Sequence, residues 1–413
     1  EGGAADVPAI VAGILRDVAA RGDAALCELT ARLDGAELAP ADLRVPRSAI
    51  DEAHAAAEPA FLELIRRAVA NIRAYQESIL VRTPAPLVRG GRRLGVRYTP
   101  VDRVGVCVPG GRAIYPSSLL MTVVPALVAG VGEVALVSPP RTAGDVHPML
   151  LALAGELGVS EVYRLGGAQA VAALAIGTEN VRATDMVVGP GNAFVSEAKR
   201  QVFGRVGIDS IAGPSEVLII ADETADAELA AADLLAQAEH DPGSAVLVTT
   251  SAELAEAVAA AAEAQLADLK RAEAIGRALA EFSAIIVVPD LDAAAAVAAD
   301  FATEHLQIVT ADDEAVLAKV PHAGAAFLGQ QTPVPLGDYY AGPSHVLPTG
   351  GTARFFGPLS CNDFLKATSI LHYDAAALSE DAADVADLAA REGLTAHARA
   401  VRLREERVQR RDH

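Results

Sequence analysis

Val104-Gly-Val-Cys-Val108-Pro109-Gly110-Gly111-Arg112-Ala-Ile-Tyr-Pro-Ser-Ser118 carries a short apolar run into a proline-glycine turn and on into a segment that reads as a helix from Ser117 to Ala129. Strand, glycine turn and helix in that order open a parallel α/β unit, because a parallel neighbour is reached only through a crossover. The alternation continues downstream. A strand is read from Glu133 to Val137, then helix 146 to 157, strand 160 to 164, helix 168 to 176, the Met186-Val-Val strand and helix 192 to 203. A second set starts at Glu216-Val-Leu-Ile-Ile220. It passes through a helix from Ala225 to Ala238, Ala245-Val-Leu-Val-Thr249 and a long Ala/Glu helix to Ala284-Ile-Ile-Val-Val288. Two blocks of similar grain predict two α/β domains with parallel sheets, although no residue-level repeat links them. Upstream, residues 7 to 33 and 48 to 79 read as helices. From about Leu347 the chain turns Gly/Pro-rich and then helical at 375 to 391 and 395 to 405, as in a small separate C-terminal unit.

The glycines sort by context. Gly130-x-Gly132-x-x-Ala135 has the letters of a dinucleotide fingerprint, but it follows a helix and precedes a strand, so it is read as a turn. The turn after Val108 has the right order. Its backbone amides, at the start of a helix, suit phosphate or ribose oxygens.

Composition narrows the partners. A chain of 413 residues, 52% hydrophobic, is large enough for two or more cores. The net charge of −20 argues against nucleic acid and anionic membranes as partners, since both call for a basic surface. Cys27, Cys107 and Cys361 are few, scattered and odd in number, so neither a disulfide framework nor a cysteine-rich zinc site is expected and a reducing cytoplasm fits. No signal-like N-terminal segment and no uninterrupted apolar run of about 20 residues is read. Lysine stands only at 199, 270, 319 and 366.

Asp233-Leu-Leu-Ala-Gln237-Ala-Glu-His240-Asp-Pro sets an amide oxygen and an imidazole one turn apart at the end of a helix stopped by Asp241-Pro242-Gly243. Such a pair suits a metal site or, alone, a solvated face. Further pairings of carboxylate with histidine occur at Glu304-His305, in Gly337-Asp338-Tyr339-Tyr340-Ala-Gly-Pro-Ser-His345, and in Glu392-Gly-Leu-Thr-Ala-His397. Together with Val18-Ala-Ala-Arg-Gly-Asp-Ala-Ala-Leu26, Gly166-Gly-Ala-Gln169-Ala, Val188-Gly-Pro-Gly-Asn192-Ala-Phe, Ile211-Ala-Gly-Pro-Ser215-Glu-Val and Ala396-His-Ala-Arg-Ala-Val-Arg-Leu-Arg404, these segments resemble the histidinol dehydrogenase family. The matches run in order over nearly the whole chain.

That resemblance implies an aldehyde-dehydrogenase-like α/β fold of two Rossmann-like domains with small helical terminal units. The expected divisions are an N-terminal arm at 1–20, a main domain of 21–106 with 216–350, a nucleotide-binding domain at 107–215, and a C-terminal unit at 351–413 that crosses to a second subunit of a homodimer. It implies NAD+-dependent oxidation of L-histidinol to L-histidine through histidinal, the last step of histidine biosynthesis. By motif, Gln237, His240, Asp338 and His397 would hold one Zn2+ per subunit, a donor set that would also admit manganese or cobalt. His305 would act as the base, and Glu304 would activate water. Ser215, His345 and Glu392 would contact substrate, beside the substrate-facing Gln237, His240, His305, Asp338 and His397. Gln169 and Asn192 would contact the cofactor. Where many members of the family carry tyrosine before Val-Pro-Gly-Gly, this chain has Cys107. Alternative readings are a related zinc dehydrogenase for another small hydroxylated compound, a noncatalytic metal-binding scaffold, which would not need Glu304-His305, and a metallohydrolase, which would not need the Gln169 and Asn192 turns.

Overall fold

The computed structural model describes residues 6–110, 114–240 and 243–410. Gly111, Arg112 and Ala113 of the opening turn, and Asp241-Pro242 of the expected helix stop, lie outside the described residues. In chain order the strands are β1 Leu87–Arg89, β2 Arg92–Pro100, β3 Arg103–Cys107, β4 Glu133–Ser138, β5 Glu161–Arg164, β6 Met186–Val188 and β7 Gly207–Ile208, followed by β8 Ser215–Ala221, β9 Gly243–Thr249, β10 Ala284–Val287, β11 His305–Val309, β12 Ala325–Leu328 and β13 Leu365–Tyr373.

Contacts divide the chain into two units, Glu1–Leu80 with Val101–Phe364, and Val81–Pro100 with Leu365–His413. The first unit holds two five-stranded parallel sheets, ordered β5-β4-β3-β6-β7 and β10-β9-β8-β11-β12. Both have the same winding: the earliest strand is central, the next two step to one side and the last two to the other. Every residue of β3 and of β11 is buried, as expected where helices cover both faces of a parallel sheet.

In each sheet the connections diverge between the central strand and its later neighbour, and beyond the strands' carboxyl ends such a divergence leaves a crevice. In the first sheet that crevice is open. At the corresponding point of the second sheet stands Asp222, 5% exposed, whose carboxylate accepts from the Thr224 amide at 3.0 Å and the Ala311 amide at 2.8 Å.

Several expected elements differ in detail. The helix read over 7 to 33 is two, Val7–Arg21 and Asp23–Asp34, parted by Gly22; that over 48 to 79 is Arg47–Ala56 and Pro59–Ile79. The long Ala/Glu helix is also two, Ala252–Leu266 and Ala272–Phe282. In the second unit, β13 was not foreseen in the stretch read as loop. It pairs antiparallel with β2 from Leu365↔Pro100 to Tyr373↔Arg92, so residues 81–100, drawn within the main domain on sequence, stand with the C-terminal segment. This unit ends in the helices Ala375–Arg391 and Thr395–Gln409. Gly130, the first glycine of the rejected fingerprint, is the left-handed C-cap of the Pro116–Ala129 helix.

Candidate active site

A cavity of about 1040 Å³ lies in the first unit. One wall is the carboxyl edge of the first sheet: Cys107 to Gly110 after β3, Pro139 after β4, Leu165 to Gln169 after β5 and Gly189 to Asn192 after β6. The opposite wall comes from the amino edge of the second sheet and the segments beside it: Ser215, His240, Glu304, His305, Asp338 and His345.

The Leu291–Phe301 helix ends on Ala302 in the left-handed conformation. The chain then enters β11 with His305 already paired to Val217 and Ala325. Glu304 and His305 are both buried, at 7% and 3% exposure. His305 Nδ1 lies 3.1 Å from the Glu216 carbonyl. Donation to that oxygen leaves Nε2 as the basic nitrogen, and Nε2 has no hydrogen-bond partner and stands 3.6 Å from Asp338 Oδ1. Burial works to lower the His305 pKa, but the Asp338 and Glu304 carboxylates outweigh it and hold the imidazole above its usual value. Burial holds the Glu304 carboxyl above the usual range, against the opposing effect of His305 and Ser215.

Ser215, the first residue of β8, joins two of the expected groups. Its Oγ donates to Glu304 Oε2 at 2.6 Å and accepts from Gln237 Nε2 at 2.9 Å. With its one proton committed to the carboxylate, Ser215 can only accept from Gln237, and this fixes which way the amide faces. Gln237 Oε1 is consequently buried with no hydrogen-bond partner. His240 Nδ1 lies 3.2 Å from the Gln237 carbonyl, so in the neutral tautomer Nε2 keeps its lone pair. Asp338 sits on a short helix, Val334–Tyr339. A Cβ on Gly337 would lie 2.7 Å from the Phe327 ring, which packs 5.9 Å from the His305 ring, so glycine lets this helix approach the imidazole. His345, half-buried, is held below the usual imidazole value by burial.

Among the described residues, no three of His, Cys, Asp and Glu cluster closely enough to hold a metal by themselves. Of the expected donor set, one histidine, one carboxylate and one amide lie in the first unit. The orphaned Gln237 oxygen is the observation that fits a cation, because a buried carbonyl oxygen without a partner is costly. His397 and Glu392 lie in the second unit and are exposed.

On the wall formed by the first sheet, Gln169 is fully buried. Its Nε2 lies 3.4 Å from Asp34 Oδ2, and its Oε1 has no hydrogen-bond partner. Asn192 is the N-cap of the Ala193–Val202 helix, its Oδ1 accepting from the amides of Phe194 and Val195 at 3.0 and 3.2 Å. Sequence reading missed Asp34, anchored to Arg141 Nε at 2.9 Å, and Glu216, which accepts from the amides of Glu304 and Gly350 at 3.2 and 3.1 Å. Asp34 lies in none of the motifs read above, and Glu216, although inside the Ile211-to-Val217 segment, was read only as the start of a strand.

Cys107 lines the cavity, yet burial pushes its thiol up to about 12, and Cys27 and Cys361 are also raised by burial. None is a ready thiolate nucleophile. Replacing all three together is expected to leave turnover within a fewfold; a collapse of activity in a folded triple variant would contradict this.

This arrangement, a buried acid and imidazole facing a sheet-edge crevice, belongs to an oxidoreductase of the aldehyde-dehydrogenase-like fold. An acetylating aldehyde dehydrogenase from Geobacillus thermoglucosidasius shares the fold alone, with TM-score 0.50 and 12% identity over 89% of this chain and 97% of its own. More specifically, the chain belongs to the histidinol dehydrogenase family, whose model, described as "Histidinol dehydrogenase", matches residues 2–405. The histidinol dehydrogenase of Rhodopirellula baltica is 51% identical over 96% of this chain and 86% of its own, and that of Heliobacterium mobile 49% over 98% and 95%. The crystal structure of histidinol dehydrogenase from Elizabethkingia anophelis superposes with TM-score 0.93 at 32% identity, covering 98% of this chain and 94% of that one.

Proposed function

We propose that this enzyme oxidises L-histidinol to L-histidine through histidinal, passing two hydrides to two NAD+ with one zinc ion per subunit, as the last step of histidine biosynthesis. The observation that carries this reading is the single cavity with Glu304 and His305 on one wall and the crevice of a dinucleotide-type sheet on the other. Family membership supports the substrate.

In the first step His305 Nε2 takes the proton from the alcohol oxygen as a hydride passes from the carbon bearing that oxygen to NAD+. Glu304 then draws a proton from the water that adds to the aldehyde while His305 returns its proton to the carbonyl oxygen, and the resulting hydrate passes a hydride to a second NAD+ and a hydroxyl proton to His305, leaving the acid, which ionises to the carboxylate. Ser215 keeps the Glu304 carboxylate aimed from β8. Gln237, His240, Asp338 and His397 would hold the zinc, which when bound would supply polarisation and a fixed seat for the substrate's nitrogen and oxygen atoms. Ser215, His345 and Glu392 contact the substrate, and Gln169 and Asn192 the cofactor. The orphaned Gln169 Oε1 is suited to accept from it.

Because His397 and Glu392 belong to the second unit, a homodimer in which that unit completes the partner's site is the assembly we favour. Leu87, Val88 and Leu371 are exposed there at 63, 69 and 71%, apolar area that calls for cover. No helix among the described residues is long and apolar enough to cross a membrane. The three cysteines are free, which suits the reducing cytoplasm.

The test is stoichiometric. Two NADH per histidinol consumed supports the reading, and none opposes it. Glu304→Gln is expected to stall the second oxidation more than the first, so that NADH per histidinol falls toward one and aldehyde is trapped by a hydrazine reagent. Equal slowing of both steps would remove Glu304 from the water-activating role.

A further inference from the structure

Of the four lysines, those at 270, 319 and 366 are exposed and Lys199 is 2% exposed. A buried ammonium needs partners, and Lys199 has two. It forms an ion pair with Asp209, itself buried, and its Nζ donates to the Gly189 carbonyl at 3.1 Å. The other Asp209 oxygen accepts from the Gly189 amide at 2.7 Å. Both backbone polar groups of Gly189 are therefore held by one ion pair.

Gly189 follows β6 with φ of +106°, and a Cβ there would lie 2.2 Å from the Cys107 carbonyl oxygen at the end of β3. The turn from Gly189 to Asn192 is thus pinned at its start by the pair and at its end by the Asn192 cap. It lines the crevice between the two central strands. Lys199 lies on the helix that Asn192 opens, so it ties that helix back to the turn leading into it. The pair is neutral as a whole and brings no net charge to a ligand. Buried ion pairs are often replaceable by apolar side chains without loss, but here such a replacement would strip the Gly189 amide and carbonyl of their partners, so what sets this pair apart is its hold on that backbone.

We propose that Lys199 and Asp209 are positioning residues for the dinucleotide, which hold the Gly189–Asn192 turn in the conformation that receives it. This rests on the reading of the crevice as the NAD+ site. Without the clamp, a turn that is competent a tenth of the time would raise the apparent Kd about tenfold.

The test uses the full chain with zinc, NAD+ and ADP-ribose as calorimetric probes, and steady-state rates. Lys199→Met and Asp209→Asn are expected to raise Kd and KM for NAD+ about tenfold, with KM for histidinol and kcat at saturating NAD+ little changed, and Lys199→Arg to recover part of the loss. Should the single variants fail to fold, the double variant Lys199→Met/Asp209→Leu leaves no lone charge and is expected to fold with the same weakened NAD+ binding. A folded variant that binds NAD+ as the parent does, or one that loses kcat and both KM values in parallel with melting temperature, overturns the clamp alone. A parent enzyme that binds no NAD+ overturns the reading of the crevice, and the clamp with it.

Discussion

His305→Asn is expected to lower kcat by about 10²- to 10⁴-fold, the range lost with a positioned general base, and to leave NAD+ binding intact. The expectation rests on the division of labour between the two ring nitrogens. Nδ1 is tied to the Glu216 carbonyl, while Nε2 is the buried nitrogen without a hydrogen-bond partner on the cavity side. Asparagine can keep a donor toward Glu216 but has no basic nitrogen to offer. Phe327 packs against the ring, so the variant also leaves a small gap, and the comparison needs a folding control. Single-turnover NADH formation at saturating NAD+ isolates the chemical step. A variant that folds, binds NAD+ and forms the first NADH within tenfold of the parent rate would mean that another group takes the alcohol proton.

Removal of the metal is expected to have a comparably large effect. Chelation of the purified enzyme should abolish NADH formation, with zinc restoring it. His240→Ala should cost more than the roughly 10- to 100-fold typical of losing an outer-sphere partner of a metal site. The physical ground is the pair of lone pairs left on one helix end, the buried Gln237 Oε1 and the His240 Nε2, each oriented by a hydrogen bond from its other polar atom. Zinc content by elemental analysis gives a readout separate from rate. An enzyme that turns over at full rate after exhaustive chelation, or a His240→Ala variant that keeps stoichiometric zinc, would dissolve the proposed centre.

The strand ending at Cys107 and the helix from Pro116 were legible because a valine-rich run, a proline-glycine pair and a helix start each point the same way. The two-sheet plan followed from repetition of that pattern. Glu304-His305, Asp338 and Gln237 were legible as motif residues, but nothing in their spacing indicates that Ser215 joins Gln237 to Glu304, since that contact spans 89 residues on one side and 22 on the other. β13 escaped notice because eight of its nine residues are exposed, so it lacks the one-sided apolar alternation that marks a half-buried strand. The break at Gly22 was missed for a local reason: its backbone takes φ of +54° amid good helix formers. Lys199 looked incidental in a chain poor in lysine, because sequence shows neither its burial nor its acid partner.

Asp222 ties the end of β8 to the chain beyond β11 at the far rim of the second sheet, whereas the matching rim of the first sheet opens into the cavity. In the proposed reaction both hydrides leave through the one dock on the first sheet, so the spent carrier has to sail before its replacement moors. During that interval the half-finished aldehyde must stay aboard.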